Sequence, residues 1–221
     1  MNLRSALSLA PVRLIVVALL ALGAPAAWCA QGETVFAAQC ASCHGSRGAG
    51  NEALKAPPLA GADADYLARQ LRNFRNQVRG GPSPQGPAAM MQAVARGLND
   101  DATILAIARY AASLKPVPAK PTPAAAAGPE LNAGKALFAV CVSCHGSLGE
   151  GNTVLSAPRL THLPDWYLSS QLQAFRNGQR GTHPQDQSGQ QMRKIAAELL
   201  TDDESTRSVA AYITSLGARG K

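Results

Sequence analysis

Two short cysteine–histidine stretches carry the clearest chemistry in this 221-residue chain. Residues 40–44 read C-A-S-C-H and residues 141–145 read C-V-S-C-H, so each is a C-x-x-C-H motif. On a helical turn, two cysteines at this spacing can each bond a vinyl group of one porphyrin, and the histidine can reach its iron. This is the attachment pattern of a c-type haem. The sequence predicts two such haems, bonded covalently through Cys40, Cys43, Cys141 and Cys144, with His44 and His145 as axial ligands.

A zinc site and a redox dithiol are the alternatives for these cysteines. Zinc ribbons also use C-x-x-C pairs, but the pairs usually lie about 15–20 residues apart and need no histidine directly after them. Here the two motifs begin at Cys40 and Cys141, a separation of 101 positions. A thioredoxin-like pair would need a strand and a helix around it, and no strand pattern appears near either motif. Haem is the favoured interpretation, and the two alternatives remain open.

A long internal repeat surrounds the two motifs. Shifting the chain by 101 residues superposes the motifs and also brings A-P, Y-L, Q-L, F-R-N and R-G segments onto their copies. A repeat of this length indicates a duplicated domain rather than a solenoid unit. Between the copies lies a stretch rich in proline and alanine, which favours an extended, semi-rigid connection. We therefore predict domains at residues 31–115 and 130–221, joined by a linker at residues 116–129.

Helical periodicity runs through both halves. After Asp63, which can cap a helix, apolar residues recur at steps of three and four, and the same pattern follows residues 164–165. Closing helices are predicted after residues 99–101 and after residues 201–204, where T-D-D-E is a capping-box pattern. No alternating strand pattern competes with these helices. The predicted fold class is all-α, with two tandem domains related by duplication.

Methionine is the candidate for the sixth iron ligand in each half. Within residues 31–115, His44 is the sole histidine and the methionines are Met90 and Met91. The 101-residue shift places Met91, not Met90, on Met192, the one methionine of the second half. A thioether ligand raises the reduction potential, which suits an electron carrier. We predict Met91 and Met192 as axial ligands, with Met90 in ordinary packing.

Several histidines and arginines are less favoured candidates for contacts with the haems. His162 and His183 can compete with Met192 for the second iron, but we expect both at the surface. Four arginines recur in both halves and can meet haem propionates, interdomain acceptors or solvent: Arg75, Arg176, Arg79 and Arg180. In the first half alone, Arg69, Arg72, Arg75 and Arg79 also lie at helical spacing. A plain solvated helix face is the favoured interpretation of these four arginines, and a basic face for an acidic partner is the alternative.

Residues 1–30 are typical of a secretory signal peptide. Arg4 and Arg13 precede an apolar run at residues 14–22, which is too short to span a bilayer comfortably. Cys29, the odd cysteine of five, is expected in or beside the discarded segment. Export agrees with the haem prediction, because c-type attachment takes place outside the bacterial cytoplasm. The expected location is the periplasm.

The chain is basic, with a formal net charge of +7 that falls to +5 once the two arginines of the signal segment are removed. It contains no compact basic motif for nucleic acid, so no nucleic-acid partner is expected.

The chain resembles the dihaem cytochrome c4 family. The resemblance rests on the tandem C-x-x-C-H motifs, the A-P-x-L and Y-L-x-x-Q-L-x-x-F-R-N stretches, the methionine, and the D-D pair before the last helix. It implies two class I cytochrome c domains about a pseudo-twofold axis, with haems close enough for internal electron transfer. It also implies that the carbonyls of Pro57 and Pro158 orient the haem histidines. Residues 81–89 and 182–191 depart from the family, since they lack its R-x-D-P approach to the methionine.

The resulting hypothesis is a periplasmic protein that passes single electrons between respiratory donors and acceptors such as a terminal oxidase. Expected partners are redox proteins: a membrane cytochrome complex, a terminal oxidase or a dehydrogenase. We expect a monomer, and the sequence leaves peripheral membrane association open. The alternative is a dihaem oxidoreductase or the cytochrome subunit of a dehydrogenase. Catalysis at haem needs an open or exchangeable sixth position, which two methionine-capped irons do not offer, so no catalytic residue is predicted.

Overall fold

The structure, a computed structural model, describes residues 24–119 and 129–219. Within these ranges the chain forms nine α-helices and no sheet, with isolated β-bridges at Asn51–Ala56 and Asn152–Ala157. The first half contains α1 (Ala24–Gln39), α2 (Ala41–His44), α3 (Ala64–Arg75), α4 (Gly86–Arg96) and α5 (Asp101–Ser113). The second half contains α6 (Pro129–His145), α7 (Asp165–Arg176), α8 (Gln187–Leu199) and α9 (Asp203–Arg219). The expectation of an all-α, two-domain fold is confirmed.

Each half has its own hydrophobic core. In the first, α1 and α3 pack against α5, and in the second, α6 and α7 pack against α9. The largest buried apolar side chains of the two cores are Phe36, Leu67, Leu98, Ile104 and Ile107 in the first and Phe138, Leu168, Phe175, Leu200, Val209 and Ile213 in the second. Each core includes side chains from the first and the last helix of its half, so the two ends of each domain pack against each other.

The first and last helices of each half cross at a glycine. A Cβ added to Gly32 would overlap the backbone carbonyl of Ala106, and one added to Gly134 would overlap that of Ser208. Only glycine allows the two backbones to approach this closely. This crossing fixes the helix that leads into each C-x-x-C-H motif against the closing helix.

The two cysteine–histidine motifs join their first helices differently. Phe36 precedes Cys40 by four residues, whereas Phe138 precedes Cys141 by three. Both phenylalanines nevertheless occupy the same place, since each packs against a tyrosine of the closing helix. The ring centroids of Phe36 and Tyr110 are 5.3 Å apart, and those of Phe138 and Tyr212 are 5.6 Å apart. The extra residue coincides with a break between α1 and α2 at Cys40, whereas α6 runs unbroken to His145.

The helix caps follow the sequence with one correction. Asp63 precedes α3 and its carboxylate accepts a hydrogen bond from the backbone N–H of Tyr66, as predicted. At α9 the capping residue is Asp202, whose carboxylate accepts from the backbone N–H of Ser205 at 2.7 Å. The predicted capping box began one residue earlier, at Thr201, and was therefore wrong. A carboxylate at this position satisfies an N–H group that the helix itself leaves free.

Part of the predicted organisation falls outside the described residues. Residues 1–23 of the expected signal peptide and residues 120–128 of the expected linker are not described. Within the ranges that are described, no helix is both long enough and apolar enough to cross a bilayer.

Candidate haem sites and the contact between the domains

The second cysteine–histidine motif lies on the wall of a deep cavity. Cys141, Cys144 and His145 line this cavity from the end of α6, and Met192 lines it from α8. Pro158 lines it from the loop between α6 and α7. The cavity holds about 1310 Å³ of empty space, including its opening to solvent. The residues predicted for the second haem therefore meet around one space, and most of the wall is apolar.

Both motif histidines are held in the orientation that metal binding needs. The Nδ1 atom of His145 lies 2.8 Å from the carbonyl oxygen of Pro158, and Nδ1 of His44 lies 2.8 Å from that of Pro57. A ring that donates its Nδ1–H to a carbonyl presents the lone pair of Nε2, the form that binds a metal ion. Burial lowers the pKa of both histidines, although the proline carbonyls act in the opposite direction. Both rings are therefore neutral at neutral pH.

The four motif cysteines are half-buried free thiols. Burial raises the pKa of Cys40 to about 11, with a further contribution from Cys43, and burial likewise raises that of Cys141 to about 11. A structural zinc site needs four ligands, and within the described residues no group of three or more His, Cys, Asp or Glu side chains is placed to hold a metal ion. The arrangement of the cysteines therefore agrees better with thioether attachment than with a zinc ribbon.

The three candidate methionines differ in their surroundings. Met90 is 55% exposed, whereas its neighbour Met91 is half-buried, and both lie on α4. Met192 is half-buried and packs against the core of the second half. This difference agrees with Met91 as the counterpart of Met192, and the assignment of both as iron ligands stays a prediction.

Arg79 of the first domain reaches across to the second. Its guanidinium donates to the side-chain oxygen of Gln171 at 2.7 Å and to the hydroxyl of Tyr167 at 3.2 Å. It also donates to the side-chain oxygen of Gln70 in its own domain at 2.8 Å. Its guanidinium carbon lies 4.5 Å from the ring centroid of Phe74.

Arg180 of the second domain makes the equivalent contacts to the first domain. It donates to Gln171 in its own domain at 2.8 Å, and across the boundary to Gln70 at 3.0 Å and to the hydroxyl of Tyr66 at 3.4 Å. Its guanidinium carbon lies 4.4 Å from the centroid of the Phe175 ring. The six residues thus form a crossed, pseudo-twofold network, which we call the interdomain network: Tyr66, Gln70, Arg79, Tyr167, Gln171 and Arg180.

The interdomain network buries Arg180 and half-buries Arg79. Arg180 is only 9% exposed, and its Nε is buried with no hydrogen-bond partner among the described residues. Burial would raise the pKa of Tyr66, but Arg180, Arg79 and Arg69 together hold it below its usual value. Neutral oxygens and aromatic faces are the contacts seen here for both guanidiniums.

The sequence pointed to this network only in part. Interdomain acceptors were one of the roles predicted for Arg79 and Arg180, and the structure supports that role for both. Contacts with haem propionates stay a prediction. The tyrosines and glutamines had no predicted role, although their signal was visible as identical residues in both halves. Four side chains that repeat without belonging to either core are candidates for a contact between the copies.

The four arginines at residues 69–79 form neither a plain solvated face nor a free basic one. Arg72 and Arg75 both bind the carboxylate of Asp101, at 2.9 Å and 2.7 Å. Arg69 donates to the backbone carbonyl of Ser156 in the second domain at 2.8 Å, and Arg79 belongs to the interdomain network. Helical spacing predicted all four arginines on one side of a helix, but α3 ends at Arg75, so Arg79 lies beyond it. The other three are occupied by contacts within the chain.

His162 was expected at the surface and is instead buried, with 5% of its surface exposed. It packs against Gly61, its own counterpart under the 101-residue shift, and a Cβ at Gly61 would come within 3.3 Å of the His162 Cβ. Burial and the nearby Arg159 lower the pKa of His162 to about 4. The other histidine expected at the surface, His183, is half-buried. The Gly–His pair therefore meets at the boundary between the domains.

Comparison with known proteins assigns the fold. The Cytochrome c family profile matches this chain twice, at residues 29–115 and at residues 131–217. The chain belongs to the cytochrome c family. Two cytochrome c domains, each with a C-x-x-C-H motif, mean two covalently attached c-type haems with their iron. The predicted cofactors and the tandem cytochrome fold are confirmed.

The similar proteins show which group within the cytochrome c family this chain resembles. Cytochrome c4 from Azotobacter vinelandii is 32% identical over 192 residues, which cover 81% of this chain and 85% of the relative. The thiosulfate dehydrogenase electron acceptor of Stutzerimonas stutzeri is 32% identical over 198 residues, covering 85% of this chain and 83% of the relative. The crystal structure of reduced recombinant cytochrome c4 from Pseudomonas stutzeri matches with a TM-score of 0.66 and 28% identity, covering 82% of this chain and 95% of that chain. The resemblance to the cytochrome c4 family is confirmed, and the chain is a dihaem electron carrier rather than an enzyme.

Proposed function

We propose that this dihaem cytochrome works in the periplasm, where it passes single electrons between respiratory donors and acceptors such as a terminal oxidase. The observation that carries the proposal is the cavity of the second domain. There, a neutral, buried His145 and the thioether of Met192 line one apolar space with Cys141 and Cys144. A histidine and a methionine on the two sides of one iron are the ligand set of electron-transfer cytochromes c.

The residues that hold the two haems follow from this arrangement and from the repeat. In the second domain, Cys141 and Cys144 would form the thioether bonds, with His145 and Met192 as axial ligands. In the first domain, the same roles fall to Cys40, Cys43, His44 and Met91. Pro57 and Pro158 would act through their carbonyls, which accept from Nδ1 of the two histidines at 2.8 Å and so fix the rings.

The chain's own residues prepare each site for a reversible redox change. When bound, the haem iron supplies one-electron chemistry. Burial keeps the imidazoles neutral, and the proline carbonyls stop the rings from turning. The apolar wall around Met192 limits the entry of water. A site closed in this way favours electron exchange over the binding of a substrate at the metal.

Further parts of the proposal concern where the protein works. We propose residues 1–30 as a signal peptide, residues 31–115 and 130–221 as the two domains, and residues 116–129 as their linker. The mature protein would be a monomer, with peripheral membrane association and redox proteins as partners. A basic face for an acidic partner does not support this scheme, because the arginines that would form it are engaged within the chain.

One specific donor is favoured by the comparisons. The Stutzerimonas stutzeri relative is named as the electron acceptor of a thiosulfate dehydrogenase. We propose that a thiosulfate dehydrogenase is one of the donors to this chain, with a terminal oxidase among its acceptors.

Two mixing experiments test the donor and the acceptor separately. Oxidised protein mixed with thiosulfate dehydrogenase and thiosulfate should become reduced, as followed in its optical spectrum. Reduced protein mixed with respiratory membranes should become oxidised, with matching oxygen uptake. Reduction by dithionite and oxidation by ferricyanide serve as controls that the protein is redox-active. A protein that passes both controls and reacts with neither biological preparation contradicts the proposed role.

A further inference from the structure

Two buried nitrogen atoms without partners belong to arginines on the wall of the second haem cavity. Among the described residues, three buried side-chain nitrogen or oxygen atoms have no hydrogen-bond partner: Nε of Arg69, Nε of Arg180 and Nδ1 of His162. Both arginines line the cavity that contains the second cysteine–histidine motif, whereas His162 does not. Because a buried donor without a partner costs free energy, two such donors on one wall indicate that the bound group supplies their acceptor.

Arg69 reaches this cavity from the first domain. It lies on α3, and the cavity wall also includes Tyr66 and Gln70 of the same helix. Another nitrogen of the Arg69 guanidinium donates to the backbone carbonyl of Ser156 at 2.8 Å, so the side chain is fixed across the domain boundary. The guanidinium carbon also lies 5.6 Å from the centroid of the Tyr66 ring. Both domains therefore contribute to the cavity of the second haem.

The positive charge on this part of the wall has no carboxylate bound to it. Within the described residues, Arg69 and Arg180 bind neutral oxygens and aromatic rings and form no ion pair. Asp186 is the one acidic residue of the described chain on the cavity wall, and it accepts a hydrogen bond from the backbone N–H of Gly189. Two guanidiniums on the wall of a largely apolar cavity fit an anionic group. A haem carries two propionate carboxylates, so it has the matching charge.

At the position of Arg69 the second domain has no arginine to offer the first haem. Under the 101-residue shift the counterpart of Arg69 is Ser170. The hydroxyl of Ser170 donates to the backbone carbonyl of Tyr167 within α7, so this residue has neither the charge nor the length of Arg69. Arg79 and Arg180, by contrast, are counterparts of each other. Any effect of Arg69 on a haem should therefore fall on the second haem alone.

We propose that Arg69 of the first domain binds a propionate of the second haem, so that this haem is bound across the domain boundary. The inference deepens the proposed function, because it rests on the second haem occupying the cavity beside the second motif. A positive charge beside a haem favours the reduced state, since ferric haem carries one more positive charge than ferrous haem. Arg69 thus raises the reduction potential of the second haem, and Ser170 does not do so for the first.

Three variants test this assignment by redox titration of the dihaem protein. R69Q removes the charge but keeps an amide donor for the Ser156 carbonyl, whereas R69K keeps the charge without the planar guanidinium. R72Q is the matched control, because Arg72 lies on the same helix but binds Asp101 in its own domain and does not line the cavity. Met192→Ala changes the wall of the same cavity, so it identifies the titration step of the second haem. The cysteines attach both haems covalently, so these variants should all keep two haems.

We expect R69Q to shift the equilibrium of the second haem about tenfold towards the oxidised form, which is about 59 mV for a one-electron couple. R69K should shift this equilibrium by less than about threefold, because the charge remains. R72Q should shift it by less than about twofold, and the first haem should change by less than about twofold in all three variants.

A structural role for Arg69 would give a different pattern of potentials. Equal shifts in R69Q and R69K would show that the charge is not what acts on the haem. A shift in R69Q no larger than that in R72Q, or a larger shift at the first haem than at the second, would show that Arg69 does not bind the second haem. Each of these results would overturn the inference and leave the proposed haem ligands standing. If Met192→Ala moved neither titration step, the proposed ligands would fail together with the inference.

Discussion

The two domains share a haem site and differ around it. Both hold a buried histidine whose Nδ1 lies 2.8 Å from a proline carbonyl. In both, the helix that leads into the motif crosses the closing helix at a glycine. They differ in the helix break at Cys40, in the replacement of Arg69 by Ser170, and in the pair formed by Gly61 and His162. Duplication thus kept what attaches a haem and left the contact surfaces free to diverge.

The largest expected effect comes from removing one predicted iron ligand. Met91→Ala should abolish the methionine-to-iron band of the first haem and lower its reduction potential by on the order of 100 mV, since the axial ligand is a main determinant of potential. Met192→Ala should do the same to the second haem. An optical redox titration of each variant measures both quantities.

Met90→Ala is the matched control for the first domain, because Met90 is the exposed neighbour of Met91. It should leave both the band and the potential nearly unchanged. If Met90→Ala lost the band and Met91→Ala kept it, the correspondence between the two domains would be wrong at this position.

A second prediction compares an arginine of the interdomain network with one in an exposed ion pair. Arg180→Ala should lower the free energy of unfolding by about 2–4 kcal/mol, because it removes three hydrogen bonds from a charged, buried donor and leaves Arg79 as the one guanidinium that still binds Gln70 and Gln171. Arg176→Ala should cost about 1 kcal/mol or less, since its partner Asp203 is largely exposed. Denaturant unfolding of the dihaem protein measures both.

Equal losses of stability in the Arg180 and Arg176 variants would show that the interdomain network contributes no more than a surface ion pair. The contact between the domains would then depend mainly on apolar packing.

The third prediction uses the asymmetry between Gly61 and His162. The pKa of His162 is lowered from 6.5 to about 4, so the unfolded chain binds a proton more readily than the folded one. Its contribution to stability is therefore complete above about pH 6.5 and is lost as the pH falls towards 4. At pH 5 the free energy of unfolding has fallen by roughly 2 kcal/mol for this reason.

His162→Gln should remove that part of the pH dependence while leaving the spectrum of both haems unchanged. The measurement is the free energy of unfolding of both proteins at several values between pH 7 and pH 4.5. Parallel curves for the two proteins would contradict a buried, neutral His162.

Much of the site could be predicted because its spacing is constrained by the haem. A single offset of 101 residues pairs Cys40 with Cys141 and Met91 with Met192, and the same offset pairs Pro57 with Pro158. A change of one residue within this segment would move the ligands relative to each other. Before Cys40 the offset between equivalent residues becomes 102. This change was not predicted from the sequence; it follows from the equivalent positions of Phe36 and Phe138 in the structure.

Three of the failures have a common physical cause, which is the contact between the domains. His162, Arg69 and Arg79 have the residue types and spacing of surface positions, whereas Arg72 and Arg75 are engaged by Asp101 within their own domain. The first domain covers His162, and the second domain covers Arg69 and Arg79. Periodicity describes one helix at a time, so it cannot show which solvent-facing side a neighbouring domain will cover.

Exposure of the reduced protein to carbon monoxide tests the central claim most directly. If Met91 and Met192 close the two sites, both haems are low-spin and six-coordinate, and the ferrous spectrum stays unchanged on rapid mixing at neutral pH. Fast formation of a carbon monoxide complex at either haem, or a high-spin haem in the oxidised protein, would contradict the account of two closed sites.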